Sequence, residues 1–279
     1  MLPLPNKVYS VDTFISNLHA LKTDHIDLWS IDPTKLCQQS ITFLTSLLTT
    51  EESEKLLKYK HKEAQHTALI TRSLCRLVLS HYTNCSPAAL EFVRNSQGKP
   101  ALVNNNNDIR FNLSHNNQLI IMAVCAGDEV GCDIEDPLRK VNIATITKRY
   151  FAAQEHKQLS ELTGVEQQQQ FFRCWTLKEA FVKATGVGIS LGLDTFYFSF
   201  TSTTTGNQSD PSKSVAKKTQ QLNLKDNIAI HFNSHYPLSK DAPWQFYHTF
   251  FKQQTMSICR ASKLNQTIIY RDATSLLGI

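Results

Sequence analysis

The chain has 279 residues, enough for one large domain or two small ones with a buried core. It is 41% hydrophobic and 19% charged, which excludes a chain disordered throughout. A net charge of +5 is too mild to require nucleic acid but suits an acidic partner.

The seven cysteines, Cys37, Cys75, Cys85, Cys125, Cys132, Cys174 and Cys259, are odd in number and contain no Cys-x-x-Cys. Most lie in apolar runs, which reads as reduced thiols of a cytoplasmic protein. Met1 to Ser10 has no apolar h-region, so no signal peptide is expected. No apolar run approaches the ~20 residues needed to cross a bilayer, so no membrane segment is expected.

In chain order, Ile26 to Ile31 predicts a short strand ended by Asp32-Pro33. Leu36 to Leu48 predicts a helix. Thr49 is the expected N-cap of the next helix, with Glu51 and Glu52 in its first turn. Lys62 to Tyr82 predicts a long helix with Ala68, Leu69, Leu74, Leu77, Val78 and His81 near one stripe. Arg72 and Arg76 fall on another stripe, where a solvated basic face is as good a reading as a binding role.

Gly98-Lys99-Pro100 reads as a turn with a lysine at its tip, and Asn104 to Asn107 as a loop tip. Ile109 to Leu113 predicts a strand ending in Ser114-His115, where a plain strand-end cap is the alternative to a functional pair. Leu119 to Cys125 predicts another strand. Gly127-Asp128 should turn it back, as a hairpin, into a strand from Val130.

Chemistry concentrates in two stretches. In Val130-Gly131-Cys132-Asp133-Ile134-Glu135, a strand puts Asp133 and Glu135 on one face and Ile134 on the other. Gly131 lets another backbone come close. In Trp175-Thr176-Leu177-Lys178-Glu179-Ala180-Phe181-Val182-Lys183, a helix puts Glu179 and Lys183 on one face, acid before base, with Trp175 one turn earlier. Gly186 is the expected stop. Three carboxylates beside a lysine fit Mg²⁺, which takes oxygen ligands and is completed by substrate phosphates, with the lysine as a point charge on a phosphate oxygen. Exposed turn acids and a solvated helix pair are the bland alternative.

Between the two stretches, Ile143 to Phe151 predicts an amphipathic helix. Arg139, Lys140, Lys148 and Arg149 form a basic cluster, and Glu166 to Gln170 a polar bridge. Beyond Gly186, strands are expected at Thr195 to Phe200, Ile228 to Phe232, Trp244 to Phe251 and Met256 to Cys259. A flexible Ser/Thr/Lys-rich insertion is expected near 201–221. His231 and His235 are four apart, but their segment looks extended, which argues against zinc.

Gly-x-Asp-x-Glu followed by Trp-Thr-x-Lys-Glu-Ala-x-x-x-Lys, with Asp133 and Glu179 46 positions apart, resembles the signature of 4′-phosphopantetheinyl transferases of the long, surfactin-synthetase-activating type. Phe111 to His115 and Gly98-Lys99-Pro100 match further motifs of that family. Cys132 stands where a branched aliphatic is usual and should point away from the metal. The likeness runs from Lys55 to Ser199; the first thirty residues and those after Phe200 carry no matching motif.

The resemblance implies an α+β fold of two structurally similar α/β halves, a pseudo-dimer with the active site at their interface. These are 1–128, contacting coenzyme A, and 129–279, carrying the metal signature and carrier docking. It implies transfer of 4′-phosphopantetheine from coenzyme A to a serine of an apo acyl or peptidyl carrier protein, releasing adenosine 3′,5′-bisphosphate. Such an enzyme is a holo-acyl-carrier-protein synthase.

By the same resemblance, Asp133, Glu135 and Glu179 hold Mg²⁺. Lys183, Lys99, Ser114 and His115 contact phosphates, Arg72 borders the coenzyme pocket, and Lys178 belongs to the pattern without a physical reason of its own. Glu155, from Phe151-x-x-x-Glu155, is a candidate general base; an ordinary first-turn acid is its alternative. The carrier is expected to be acidic and to dock on the basic cluster. The enzyme is expected to be a monomer serving fatty-acid, polyunsaturated-lipid, polyketide or non-ribosomal peptide synthesis. A magnesium-dependent phosphodiesterase and a non-catalytic coenzyme A- or carrier-binding module are the competing readings. Basic residues not interleaved with aromatics count against nucleic acid.

Overall fold

Two β-sheets packed face to face position everything else. The computed structural model describes residues 21–83, 85–200, 219–222 and 228–277. Strands β1 (His25–Ile31), β4 (Ile109–His115), β5 (Ile120–Ala126), β8 (Thr219–Leu222) and β12 (Thr267–Asp272) form a sheet in the order β4-β5-β1-β12-β8. Strands β6 (Val130–Glu135), β10 (Trp244–Phe251) and β11 (Gln254–Ala261) form a second, ordered β10-β11-β6. β1 and β12 run parallel, whereas the other neighbours in these two sheets are antiparallel. Two small pairs complete the β structure: β2 (Phe92–Arg94) with β3 (Pro100–Leu102), and β7 (Phe196–Phe200) with β9 (Ile228–Phe232).

Period-two alternation sorts the apolar side chains into separate cores. Trp29, Ile31, Ile120, Met122 and Val124 face helices α1 (Gln38–Ser46) and α3 (Lys62–Ser80), meeting Leu44, Ile70, Leu74, Leu77 and Val78, and α2 (Thr50–Leu57) packs on α3. Their alternates Ile26, Leu28, Ile121, Ala123 and Cys125 face the second sheet, meeting Val130, Cys132, Ile134, Met256 and Ile258. The far side of the second sheet packs under α6 (Gly164–Thr185) through Leu177, Ala180, Phe181, Phe246 and Cys259. Helices α4 (Ile143–Tyr150) and α5 (Ala153–Ser160) lie between β6 and α6 in sequence. The architecture is α+β. Thr49 caps α2 with a reciprocal bond to Glu52, the capping box its Thr-x-x-Glu spacing encodes.

The structure differs from the sequence expectations at several points. Gly127-Asp128 does not close a β5–β6 hairpin. β5 already has β4 and β1 as its two neighbours, so β6 leaves the sheet and pairs with β11 instead. The division at 128/129 coincides with that crossover, yet β8 and β12 return from the second half to the first sheet. β12, unread in the sequence, sits between β1 and β8. The polar bridge Glu166 to Gln170 is helical, the first turns of α6. Of the insertion expected near 201–221, residues 201–218 lie outside the described residues and 219–221 belong to β8.

Candidate active site

The site begins with a missing side chain. A Cβ on Gly131 would stand 2.0 Å from the Ala180 carbonyl oxygen and 2.6 Å from the Ala184 amide. Glycine there lets the backbone of α6 lie directly on β6. Two residues on, Asp133 is 4% exposed and turned toward the helix. The Lys183 ammonium lies 2.6 Å from its Oδ1, and the Ser114 hydroxyl donates to the same oxygen at 2.8 Å. Ser114 also accepts from Lys183 at 2.9 Å. The other oxygen, Asp133 Oδ2, is buried and has no hydrogen-bond partner among the described residues.

β6 is an edge strand, and side chains of β4 satisfy its open edge. The Cys132 amide donates to Asn112 Oδ1 at 2.9 Å and the Ile134 amide to Ser114 Oγ at 3.3 Å. An unpaired edge would otherwise leave buried N–H groups unsatisfied. These bonds bring Ser114 to Asp133, as expected, but across two sheets rather than within one. Asn112 was missed as a site residue. Its signal was there, because it alternates with Ser114 in Phe-Asn-Leu-Ser-His and so shares its face.

Glu135 shares the acidic face. Trp175 Nε1 donates to Glu135 Oε1 at 3.1 Å, and the Arg139 guanidinium is 3.2 Å from Oε2. The indole of Trp175 therefore fixes an acid, a role the sequence placed beside Glu179 without assigning. Arg139, read as a docking cation, is engaged inside the site. No side chain among the described residues donates a hydrogen bond to Glu179. Burial, then the Asp133 and Glu135 charges, against the pull of Lys183, push its pKa up to about 7. Burial and the Asp133 charge also raise Glu135. The three carboxylates thus feel one another's charge. As they stand, no group of three His, Cys, Asp or Glu among the described residues could hold a metal ion. His115 ends β4 nearby; partial burial and the Lys183 charge lower its pKa. Cys132 points into the core between the sheets, away from the acids.

Glu155 and Lys178 do not join this group. Lys178 is 0% exposed and Glu155 1%. The ammonium is 2.7 Å from Glu155 Oε2 and donates to the carbonyls of Leu193 and Phe196, also at 2.7 Å. Glu155 Oε1 accepts from the Phe198 amide at 3.1 Å. An acid enclosed this way has no route to a substrate hydroxyl, which corrects the expectation of a general base. Lys178 likewise contacts protein on every side, which corrects its place among coenzyme-binding residues.

Lys99 is not a free lysine at a turn tip. Its ammonium pairs with Glu129 at 2.5 Å and donates to the Ala184 carbonyl at 2.7 Å, tying the β2–β3 hairpin to the end of α6. Arg76 is buried, paired with Glu52 at 2.7 Å and bonded to the Pro87 and Leu90 carbonyls, so it is no solvated face. Arg72 is half-buried, with its guanidinium 5.7 Å from the ring centroid of Tyr59.

Residues 129–259 match the model of the 4′-phosphopantetheinyl transferase superfamily, and residues 33–127 match that of the 4′-phosphopantetheinyl transferase N-terminal region. The 4′-phosphopantetheinyl transferase HetI of Nostoc sp. is 31% identical over 172 residues, 61% of this chain and 72% of the relative. The 4′-phosphopantetheinyl transferase Sfp of Bacillus subtilis is 33% identical over 163 residues, 58% and 70% of the two chains. The chain belongs to the 4′-phosphopantetheinyl transferase superfamily. Its match to a relative from Synechocystis sp., 35% identical over 150 residues, spans 61% of that relative, less than two thirds. The junction between the two matched regions is the crossover from the first sheet to the second.

Proposed function

We infer that the protein transfers 4′-phosphopantetheine from coenzyme A to a serine hydroxyl of an apo carrier protein, releasing adenosine 3′,5′-bisphosphate. The single observation that carries this is the Asp133–Lys183–Ser114 cluster, with Glu135 and Glu179 beside it, where α6 crosses β6. Coenzyme A is the co-substrate of this family.

The residues fit Mg²⁺. Asp133 Oδ2 is buried without a hydrogen-bond partner among the described residues, and burial, then the Asp133 and Glu135 charges, push the Glu179 pKa up to about 7. A buried, unpartnered carboxylate oxygen and a raised acid beside two others support a cation at this place, and all three donors are hard oxygens. Asp133, Glu135 and Glu179 would hold the ion, which when bound supplies positive charge to neutralise the pyrophosphate.

The chain's own residues do the rest. Lys183, shared between Asp133 and Ser114, is placed to exchange one of them for a phosphate oxygen. His115 lies within the field of Lys183 and is the second phosphate-side group. Trp175 keeps Glu135 aimed at the shared space. Arg72, and Lys99 by exchange of Glu129, serve the coenzyme from the first half. Ser114 comes from the first half and Asp133 from the second, which supports a site between two halves and a complete site in a monomer.

All seven cysteines are free, as suits a cytoplasmic enzyme. No helix among the described residues is long and apolar enough to cross a membrane. The acceptors are acidic carriers of fatty-acid, polyunsaturated-lipid, polyketide or non-ribosomal peptide synthesis. They dock on exposed Lys140, Lys148 and Arg149, beside a groove lined by Val141, Asn142 and Ile143.

The test is incubation with coenzyme A, Mg²⁺ and an apo carrier, followed by weighing the carrier by mass spectrometry. The carrier gains one phosphopantetheine. Asp133→Ala and Glu179→Ala each lower the rate by roughly 10²-fold or more. Equal transfer by both variants removes the acid-site reading, and a carrier of unchanged mass removes the activity. Charge reversal at Lys148 and Arg149 raises the carrier KM and leaves coenzyme A affinity alone; an unmoved carrier KM and salt dependence rule out that docking face.

A further inference from the structure

The last third of the chain carries no motif, yet one of its residues touches the signature helix beneath the acids. β11 lies between β10 and β6, and its register puts His248, Ser257 and Asp133 directly opposite one another in a single row across the sheet. Directly opposed residues share a face, so all three point toward α6. Ser257 Oγ is 2.7 Å from Thr176 Oγ1, and both residues are fully buried.

Hydroxyl chemistry orders these bonds. Thr176 donates its one proton to the Phe172 carbonyl at 2.9 Å, so it accepts from Ser257. The Ser257 oxygen is then free to accept from His248 Nδ1, 3.1 Å away. Burial, then the Arg173 charge, push the His248 pKa down to about 3, so the ring is neutral. With the Ser257 proton given to Thr176, the bond to Ser257 calls for the tautomer with its proton on Nδ1. The result is one directional chain from β10 through β11 into α6.

Its position matters for the acids. Thr176 precedes Glu179 by three residues and Lys183 by seven, so the three share a helix face. Gly131 only allows α6 to lie close; it does not say where along the strand the helix stops. Lys183–Asp133 and Trp175–Glu135 join α6 to β6 within the site itself; the Thr176–Ser257 bond is a polar contact that holds the helix from outside it, one strand away from Asp133.

We propose that Ser257 is a positioning residue for the transfer: its hydroxyl sets the register of α6 on the sheet, and so the placement of Glu179 and Lys183 against Asp133. The proposal rests on the acid-site reading above. Ser257 touches no substrate. Its loss lets α6 shift along β6, and small misplacements of a ligand set cost far more in function than in folding.

The experiment uses the full chain with Ser257→Ala, Ser257→Thr, Thr176→Val and Thr176→Ser. Mn²⁺ affinity is read by electron paramagnetic resonance without substrates, and kcat and carrier KM by steady-state transfer. Ser257→Ala and Thr176→Val weaken Mn²⁺ binding and lower kcat by roughly tenfold, with carrier KM within about twofold. Ser257→Thr and Thr176→Ser restore both, because each keeps the hydroxyl. The double variant Ser257→Ala/Thr176→Val is no worse than either single.

Parent-like Mn²⁺ affinity and kcat in Ser257→Ala, whatever its melting temperature, overturn the proposal. If Ser257→Ala does not fold, the Thr176 pair reads the same bond from the helix side. If the parent binds no Mn²⁺ and Asp133→Ala behaves identically, the ion assignment has failed. The split between kcat and carrier KM in the Ser257 and Thr176 variants still decides positioning.

Discussion

Glu179 shows how one side chain records the demands of its surroundings. Its pKa stands at about 7 because burial and the Asp133 and Glu135 charges outweigh the attraction of Lys183. For an acid, a raised folded value has a definite sign. Between the ordinary carboxylate value and 7 the folded chain holds a proton that the unfolded chain releases, so stability falls as pH rises across that window. Glu179→Gln should therefore melt above the parent at about pH 8, and the difference should vanish by about pH 4. Added Mg²⁺ should close the gap at the higher pH by stabilising the parent alone. Calorimetry of both proteins at the two pH values checks this. A variant less stable than the parent at the higher pH would show the carboxylate to be satisfied where it stands.

At the scale of elements, α6 performs two tasks on two faces. One face carries Trp175, Glu179 and Lys183 to the acids of β6. Lys178 points elsewhere, to Glu155 on α5, in a pair almost wholly removed from water. Burial lowers the lysine and raises the acid, while each partner pulls the other back. Removing one member leaves an uncompensated buried charge. Lys178→Met or Glu155→Gln should each cost about 3–5 kcal/mol in chemical denaturation, with kcat per folded molecule retained. The double change Lys178→Met/Glu155→Leu should recover much of the loss. A Glu155→Gln protein that folds as well as the parent and is inactive would return Glu155 to catalysis. Lys178 had no role legible in its motif because its partner lies on another element.

At the scale of the whole molecule, the end of the chain closes the first sheet. β12 pairs parallel with β1, and Arg271 lies 2.9 Å from Asp27, which also accepts from Tyr82 at 2.5 Å. Trp29 Nε1 completes the cluster by donating to Tyr82 at 2.7 Å. Fully buried Arg260 donates to the carbonyls of His25 and Ala126 and pairs with Asp128 at 3.1 Å, tying β1, β5 and the crossover turn together. A chain ending before Thr267 strips β1 of a neighbour and leaves Asp27 buried without Arg271. Such a truncation should lose cooperative thermal unfolding, read by circular dichroism, although every signature residue remains. β8 and β12 cross the expected division at 128/129 to join the first sheet.

The sequence by itself determined the local order and the chemistry. Alternation in β4, β5 and β6, the cap at Thr49, the stop at Gly186 and the helical spacing of Trp175, Glu179 and Lys183 are all short-range properties, written within a few residues of one another. So was the acidic signature, because its spacing within each half is fixed by one strand and one helix. Only the tertiary structure decided which strand β6 would pair with, that β12 would return to β1, and which side chain each buried ion would find. Those depend on partners 23 to 242 positions apart in the chain, such as Glu155 with Lys178 and His25 with Thr267. No local pattern encodes them. They follow from which sheet edges remain open and which buried charges remain unmatched once the chain has collapsed.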